Sequence, residues 1–277
     1  MQKNALSSLV LGSLLSTLLL TSCSHKLAPS GNYQTTPVVA DGVPDEWKLP
    51  LRFSNESYTL QYTVTNDNKN IYICILSRDE ATQLRMLRNG MSVCFDPKGE
   101  KNKNISIAFP IRKQPEPDAY RNRSGNPITA ADMKSRKEQL LLQSDYYNTI
   151  GFQHIENGQY ALKDNKSDIQ VAMKLNNEDS LLVYEAIVPI KDVLGADLSP
   201  KSESRNFSVG IVLNAAPGQG GGNGNYSRPS YGGMRGGMMG MRGMGGGRGN
   251  YGSSQRSAGA KEETDWYQFQ LASGKNN

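Results

Sequence analysis

Histidine is almost missing from this chain, with two in 277 residues, at positions 25 and 154. A nucleophile triad needs a histidine or an equivalent base beside the attacking group, and no such cluster can be built here. Cysteine is nearly as scarce. Of the three, Cys74 and Cys94 sit inside apolar strand patterns, where a thiol stays protonated and unreactive. The same scarcity removes the His and Cys cluster of a zinc site. No glycine loop followed by Lys-Ser or Lys-Thr occurs, so there is no phosphate cradle of that type. No motif marks a carboxylate pair for glycosidic cleavage. The chain reads as non-enzymatic.

A basic folded surface is also lacking, despite the net charge of +5. Lys3 belongs to an N-terminal leader, and Arg228, Arg235, Arg242, Arg248 and Arg256 fall in one segment. Without those six, 25 basic side chains stand against 26 acidic ones, a net of −1. Nothing in the remainder suits a nucleic-acid partner.

What is present begins with a targeting segment. After Lys3, the stretch Ala5 to Leu20 is apolar apart from small polar residues and one Asn. It is short for a bilayer span and has the proportions of a secretory signal. It ends Leu20-Thr21-Ser22-Cys23, which resembles the bacterial lipobox. That resemblance implies a signal peptide over 1–22 and an acylated Cys23 as the first mature residue. Several acyl chains, at about 0.8 kcal/mol per buried methylene, make a stable membrane anchor. Residues 23–36 are polar with Pro29, Ser30 and Gly31, and read as a flexible tether. Ser24 after the cysteine fits outer-membrane sorting. No acidic run follows Cys23 of the kind surface-exported lipoproteins of Bacteroidota-like bacteria often carry, which favours the periplasmic face.

Strand signals then dominate. Leu60, Tyr62 and Val64 alternate with Gln61, Thr63 and Thr65 over Tyr58 to Thr65, the period of a half-buried strand. Asn66 to Asn70 is a turn. Ile71 to Leu76 is apolar on both faces, as in a central strand. Further strands are expected at Met91–Asp96, Asn104–Pro110, Tyr147–Ile155, Gln159–Leu162, Ile169–Leu175, Leu181–Pro189, Phe207–Asn214 and Thr264–Leu271. Helical signals are few. Thr129 with Asp132 resembles a capping box opening a helix to Gln143, and shorter helical stretches cover Glu80–Arg88 and Lys191–Leu194. Residues 217–259 differ from everything else: 17 of the 28 glycines, five arginines, five methionines and no Asp, Glu or Lys. Such a composition cannot offset its backbone entropy by burial, so it is expected to be a disordered insertion between the last two strands. One domain therefore spans 37–216 and 260–273.

Asp41-Gly42 with Asp45-Glu46-Trp47, then Asn66-Asp67 with Asn70-Ile71-Tyr72-Ile73, then Val93-Cys94-Phe95-Asp96-Pro97-Lys98 resemble the N-terminal half of family-nine carbohydrate-binding modules and related DOMON-like sandwiches. Tyr184-Glu185-Ala186-Ile187-Val188-Pro189 and the strands 207–214 and 266–271 resemble the later strands of that superfamily. The resemblance implies a two-sheet antiparallel sandwich, which with the helix read above as an insertion makes the domain all-β, and ligand binding without catalysis, the ligand being a glycan such as a polysaccharide or a related envelope ligand. It implies structural packing for Trp47 and Trp266. Trp266 is thus expected in the core with Trp47 covering it, although its own strand face also holds two glutamines. No counterpart of the family's sugar-sandwiching loop tryptophans is found.

The candidate ligand surface is the excursion Arg112 to Tyr147, carrying Arg112, Asp118, Tyr120, Arg121, Arg123, Asp145, Tyr146 and Tyr147. Tyr120, Arg121, Tyr146 and Tyr147 are its candidate contacts. Family-nine modules hold structural calcium through carboxylates. Asp41, Asp45, Glu46, Asp67 and Asp96 are candidate ligands, equally well read as turn residues. Met234, Met238, Met239, Met241 and Met244 resemble methionine motifs that bind Cu(I), which opens a metal-handling or scaffold alternative beside that of a plain low-complexity spacer. Cys74 and Cys94 are read as two buried thiols. Cys23→Ser is expected to leave the protein unprocessed or unanchored; unchanged membrane fractionation would contradict the lipid anchor.

Overall fold

Alternation decides the architecture. Leu60, Tyr62 and Val64 face one way, and they meet the like-facing Ile71, Ile73 and Ile75 of the next strand and Val93 and Phe95 of a second sheet in one buried core. The computed structural model describes residues 29–111, 129–176, 180–203, 205–215, 261–272 and 274. Its strands are β1 (Asn32–Tyr33), β2 (Phe53–Ser54), β3 (Gln61–Asn66), β4 (Asn70–Ser77), β5 (Met91–Asp96), β6 (Ile105–Ile111), β7 (Tyr146–Ile150), β8 (Gly158–Ala161), β9 (Gln170–Asn176), β10 (Leu181–Pro189), β11 (Asn206–Leu213) and β12 (Glu263–Gln270). The connections carry α1 (Glu80–Asn89), α2 (Ala130–Leu142), α3 (Ile190–Leu194) and α4 (Pro200–Glu203). One sheet has the order β1-β3-β4-β10-β9 with β2 on β3; the other runs β12-β11-β5-β6-β7-β8. They face each other as a β-sandwich, as expected.

The sheets are not wholly antiparallel. β1 pairs in parallel with β3, Asn32 with Thr65 and Tyr33 with Asn66. This also corrects the reading of a free tether up to residue 36. Gly31 donates its N–H to the Gln270 carbonyl at 2.7 Å, and Gln270 donates to that of Pro29 at 2.9 Å. Composition missed this because the bonds are backbone bonds, which polar residues make as readily as apolar ones. β7 is shorter than expected. Gly151 turns the chain at φ +77°, and a Cβ there would lie 2.1 Å from the Asn104 carbonyl oxygen. The helix α2 opens with the expected capping box, Thr129 and Asp132 bonding each other's backbone N–H.

Strands β4 and β10 are buried on both faces because the first sheet has a roof. Val38, Trp47 and Leu51 of the lead-in pack on the outward side chains Tyr72, Cys74, Leu76, Val183 and Ile187. The fully buried Glu185 of β10 points into that layer. Its Oε1 accepts from Trp47 Nε1 at 2.6 Å, and its Oε2 accepts from the N–H groups of Gly42 at 2.8 Å and Asp41 at 3.2 Å. Burial raises the Glu185 carboxyl above its ordinary range, and the three donors oppose that rise. Gly42 has φ +76°, and a Cβ there would meet Lys174 Cβ at 2.5 Å, so only glycine lets the lead-in turn this close to the sheet.

The two ends of the sandwich differ. The tether joins at the end holding Gln270 and the turn 97–104. At the opposite end Arg85 of α1 gathers the strand ends that flank 216–260. It donates to the carbonyls of Leu213 at 2.8 Å, Asn214 at 3.3 Å and Lys261, and to the Glu263 carboxylate at 3.3 Å.

Glu185→Gln sets an amide NH₂ against backbone N–H donors. Losing hydrogen bonds to a buried acceptor of this kind costs about 3 kcal/mol, which lowers the melting temperature of a domain of this size by roughly 6–12 °C. Calorimetry on the variant checks this; an unchanged melting temperature would contradict the pinning role of Glu185.

Candidate functional site

Among the described residues, no lead-in crosses the outward face of the second sheet. Strict alternation in β12 sends Tyr267 and Phe269 inward, where Tyr267 packs tilted against Phe53 at 3.9 Å between centroids and stacks on Phe269 at 5.1 Å. That leaves Thr264, Trp266 and Gln268 facing outward. Trp266 is therefore not a core residue, contrary to expectation. Trp47 cannot cover it, because Trp47 lies on the outer side of the other sheet with two sheets between them. Trp266 is half-buried.

The pose of its ring is set by Gly210, its partner across β11. A Cβ on Gly210 would lie 2.9, 2.9 and 3.0 Å from Cε3, Cζ3 and Cδ2 of the indole. Three contiguous atoms of a six-membered ring are equidistant from a point only on the axis through its centre. The ring thus lies face-on over the glycine, one π-face on the backbone of β11. The rest of that row is small, with Cys94 opposite Gly210 and Ser106 opposite Cys94.

The turn between β5 and β6, residues 97–104, folds back beside the indole. Asp96, 4% exposed, organises it by accepting the N–H groups of Lys98 and Asn102, each at 2.9 Å. Gln268 Nε2 donates to the Gly99 carbonyl at 2.8 Å, and Lys103 Nζ donates to Thr264 Oγ1 at 2.8 Å and pairs with Glu262. The turn thus touches the outward residues on either side of Trp266. An aromatic face bordered by an amide, a hydroxyl, an ammonium and a carboxylate is a surface that can stack a ring and bond its polar edge.

The expected contacts fare differently. Tyr147 is fully buried, its hydroxyl 2.7 Å from Asn165 Oδ1 and 2.6 Å from Ser167 Oγ. It is a packing residue stacked on Tyr160, which corrects its assignment as a ligand contact; in β7 it takes the inward register. Tyr146 takes the outward one, on the same sheet face as Trp266 and half-buried. Arg112, Asp118, Tyr120, Arg121 and Arg123 lie outside the described residues, as do Cys23, His25 and the five loop methionines.

Four of the five carboxylates considered for calcium are occupied locally, Asp96 by the turn described above. Asp41 Oδ1 accepts from Val43 N, Glu46 Oε1 from Val39 N, and Asp67 from Lys69 N, Asn70 N and the Tyr72 hydroxyl. Asp45 is exposed in the turn Pro44–Glu46. Among the described residues no three His, Cys, Asp or Glu side chains group as metal ligands. His154 sits on the loop after β7 and pairs its Nδ1 with buried Asp192 at 3.1 Å, beside the bond from Gln153 N to the Asp192 carbonyl at 2.8 Å. That pair ties the loop to α3. Cys74 and Cys94 are unbonded and lie on opposite outer faces. Burial raises both thiols, Cys94 to about 12, so neither is a nucleophile at neutral pH. Sequence reading missed the Trp266 face; the signal for it was Gly210 within an otherwise apolar strand.

No family model matches this chain, and no curated protein matches it. Among solved structures it is similar to a carbohydrate binding module family 9 (CBM9) from Caldicellulosiruptor kristjanssonii in complex with glucose, at TM-score 0.32 and 10% identity, covering 67% of this chain and 76% of that one. Among the described residues no helix is long and apolar enough to cross a membrane.

Gly210→Ala is expected to lift the indole off β11 at a cost of about 1–3 kcal/mol for overpacking. Tryptophan emission should shift to the red, since Trp47 stays buried. Unchanged emission and stability would show that the ring does not rest on Gly210.

Proposed function

We propose that the protein is a non-catalytic, lipid-anchored glycan-binding protein of the cell envelope that takes its ligand on the Trp266 face. The observation that carries this is the indole lying flat on Gly210 with polar side chains along both sides. A sugar ring presents an apolar face of axial C–H groups and a hydroxyl-bearing edge, and this surface offers the complement of each. A ring already immobilised by the backbone loses little freedom when a ligand stacks on it. The described histidine and both cysteines are accounted for by packing, which supports binding over turnover.

Anchoring rests on the Leu-Thr-Ser-Cys motif. Cys23 lies six residues before Pro29, where the chain joins the sandwich. Even fully extended, six residues reach only about 20 Å. The tether end would then stay close to the membrane, with the Arg85 end turned away from it.

A glycan array followed by calorimetry against soluble plant and mucosal polysaccharides tests the reading. The expected result is reversible binding without release of reducing ends, weakened about tenfold or more, ~1.4 kcal/mol, by Trp266→Ala in a chain that still unfolds cooperatively. Binding that ignores Trp266→Ala, or reducing ends released by the purified protein, would overturn it.

A further inference from the structure

The turn beside Trp266 carries a charge that its internal bonding does not use. Residues 97–104 hold Lys98, Lys101 and Lys103 against one acid, Glu100. Lys103 is committed to Glu262 and Thr264, and Glu100 accepts from Asn102 Nδ2 at 3.1 Å. Lys98 and Lys101 are both exposed. Their backbone is fixed nonetheless: the Lys98 N–H is bound by buried Asp96, and Lys101 is held at φ +66°. That is a left-handed conformation a lysine adopts only under constraint from its surroundings. The constraint comes from Asp96 holding the turn on both sides of Lys101, through Lys98 N and Asn102 N, and from Gln268 holding Gly99.

Gln268 and Thr264 are the outward neighbours of Trp266 on β12, each about 7 Å from it along the strand. The turn bonds Gln268 through the Gly99 carbonyl and Thr264 through Lys103, which puts Lys98 next to, and Lys101 two residues from, the residue that touches a neighbour of the indole. A neutral sugar would need only hydroxyl partners there. Two exposed ammonium groups on a rigid turn next to a stacking surface fit a ligand that repeats a ring and an anion.

We propose that the glycan taken by this face is acidic, a chain bearing carboxylate or sulfate groups, with a ring stacked on Trp266 and its anions on Lys98 and Lys101. This rests on the glycan reading above and narrows it to a class. Such contacts are exposed, so each adds modestly and is screened by salt.

Paired probes that differ only in charge decide it: polygalacturonate against its full methyl ester, and chondroitin sulfate against its desulfated, carboxyl-reduced form. Calorimetry is run on the wild-type chain, on Trp266→Ala and on the double variant Lys98→Gln, Lys101→Gln. The expected result is about tenfold tighter binding of an anionic probe than of its neutral partner. That preference should fade between about 0.1 M and about 1 M salt, as the screening length falls from ~10 to ~3 Å. The double variant should lose the preference with its melting temperature held, and Trp266→Ala should weaken both members of a pair. Equal affinity within each pair, unmoved by the double variant but lost in Trp266→Ala, would overturn the acidic class and leave the glycan reading standing. Anionic binding that ignores Trp266→Ala would overturn it as charge attraction without a stacked ring. No binding of any probe by the wild-type chain, beside binding of a neutral glycan on the array, would overturn the acidic class and leave the glycan reading standing.

Discussion

The buried carboxylate of Glu185 is the constraint on which the arrangement of this sandwich depends. An acceptor with no water around it must be matched by donors, because an unpaired one costs several kcal/mol. The donors here are Trp47 Nε1 and the backbone N–H groups of Asp41 and Gly42, all from a lead-in more than 130 residues away in sequence. Satisfying Glu185 thus fixes where the lead-in lies. Val38, Trp47 and Leu51 then close over Cys74, Val183 and Ile187, which is why β4 and β10 can be apolar on both faces.

That roof makes the molecule two-sided. On the outer side of the first sheet, β4 and β10 are closed by the lead-in. The outer side of the second sheet carries a short turn and one indole in place of a lead-in, over central strands with small buried residues such as Ser92, Cys94 and Ser208. Small side chains there let Trp266 lie down instead of standing on edge. The turn 97–104 uses the same space, held down by Asp96 and Gln268. The site and the roof are thus alternative ways of finishing a sheet face, one with apolar cover and one with an aromatic surface.

The ends follow a similar division. Backbone bonds between Pro29, Gly31 and Gln270 tie the tether to one end. At the other, one guanidinium bonds the carbonyls of Leu213, Asn214 and Lys261. Arg85 suits that position because its planar fork can serve several acceptors at once, which a lysine could not do with fixed geometry. A long insertion can therefore leave and re-enter the sandwich without loosening β11 and β12.

How far the sequence determined this protein follows from the range of each signal. The period-two runs gave the strands and their inward sets, because side-chain alternation is local: Leu60, Tyr62 and Val64 do face the core. The helix opening at Thr129 was legible for the same reason, since a capping box spans four residues. The buried thiols were legible from their apolar neighbours. The placement of Trp266 was half legible. Its glutamine neighbours marked an outward face, while the family resemblance implied packing, and alternation prevailed because Tyr267 and Phe269 claim the interior. Tyr146 and Tyr147 could not be separated beforehand, because which of two adjacent residues points inward depends on the register with β6 and β8. The Glu185 pin, the turn folded beside Trp266 and the face-on indole over Gly210 were decided only by tertiary structure. Each joins residues that are remote in the chain, and nothing in local composition says which remote donor, carbonyl or glycine a side chain will meet.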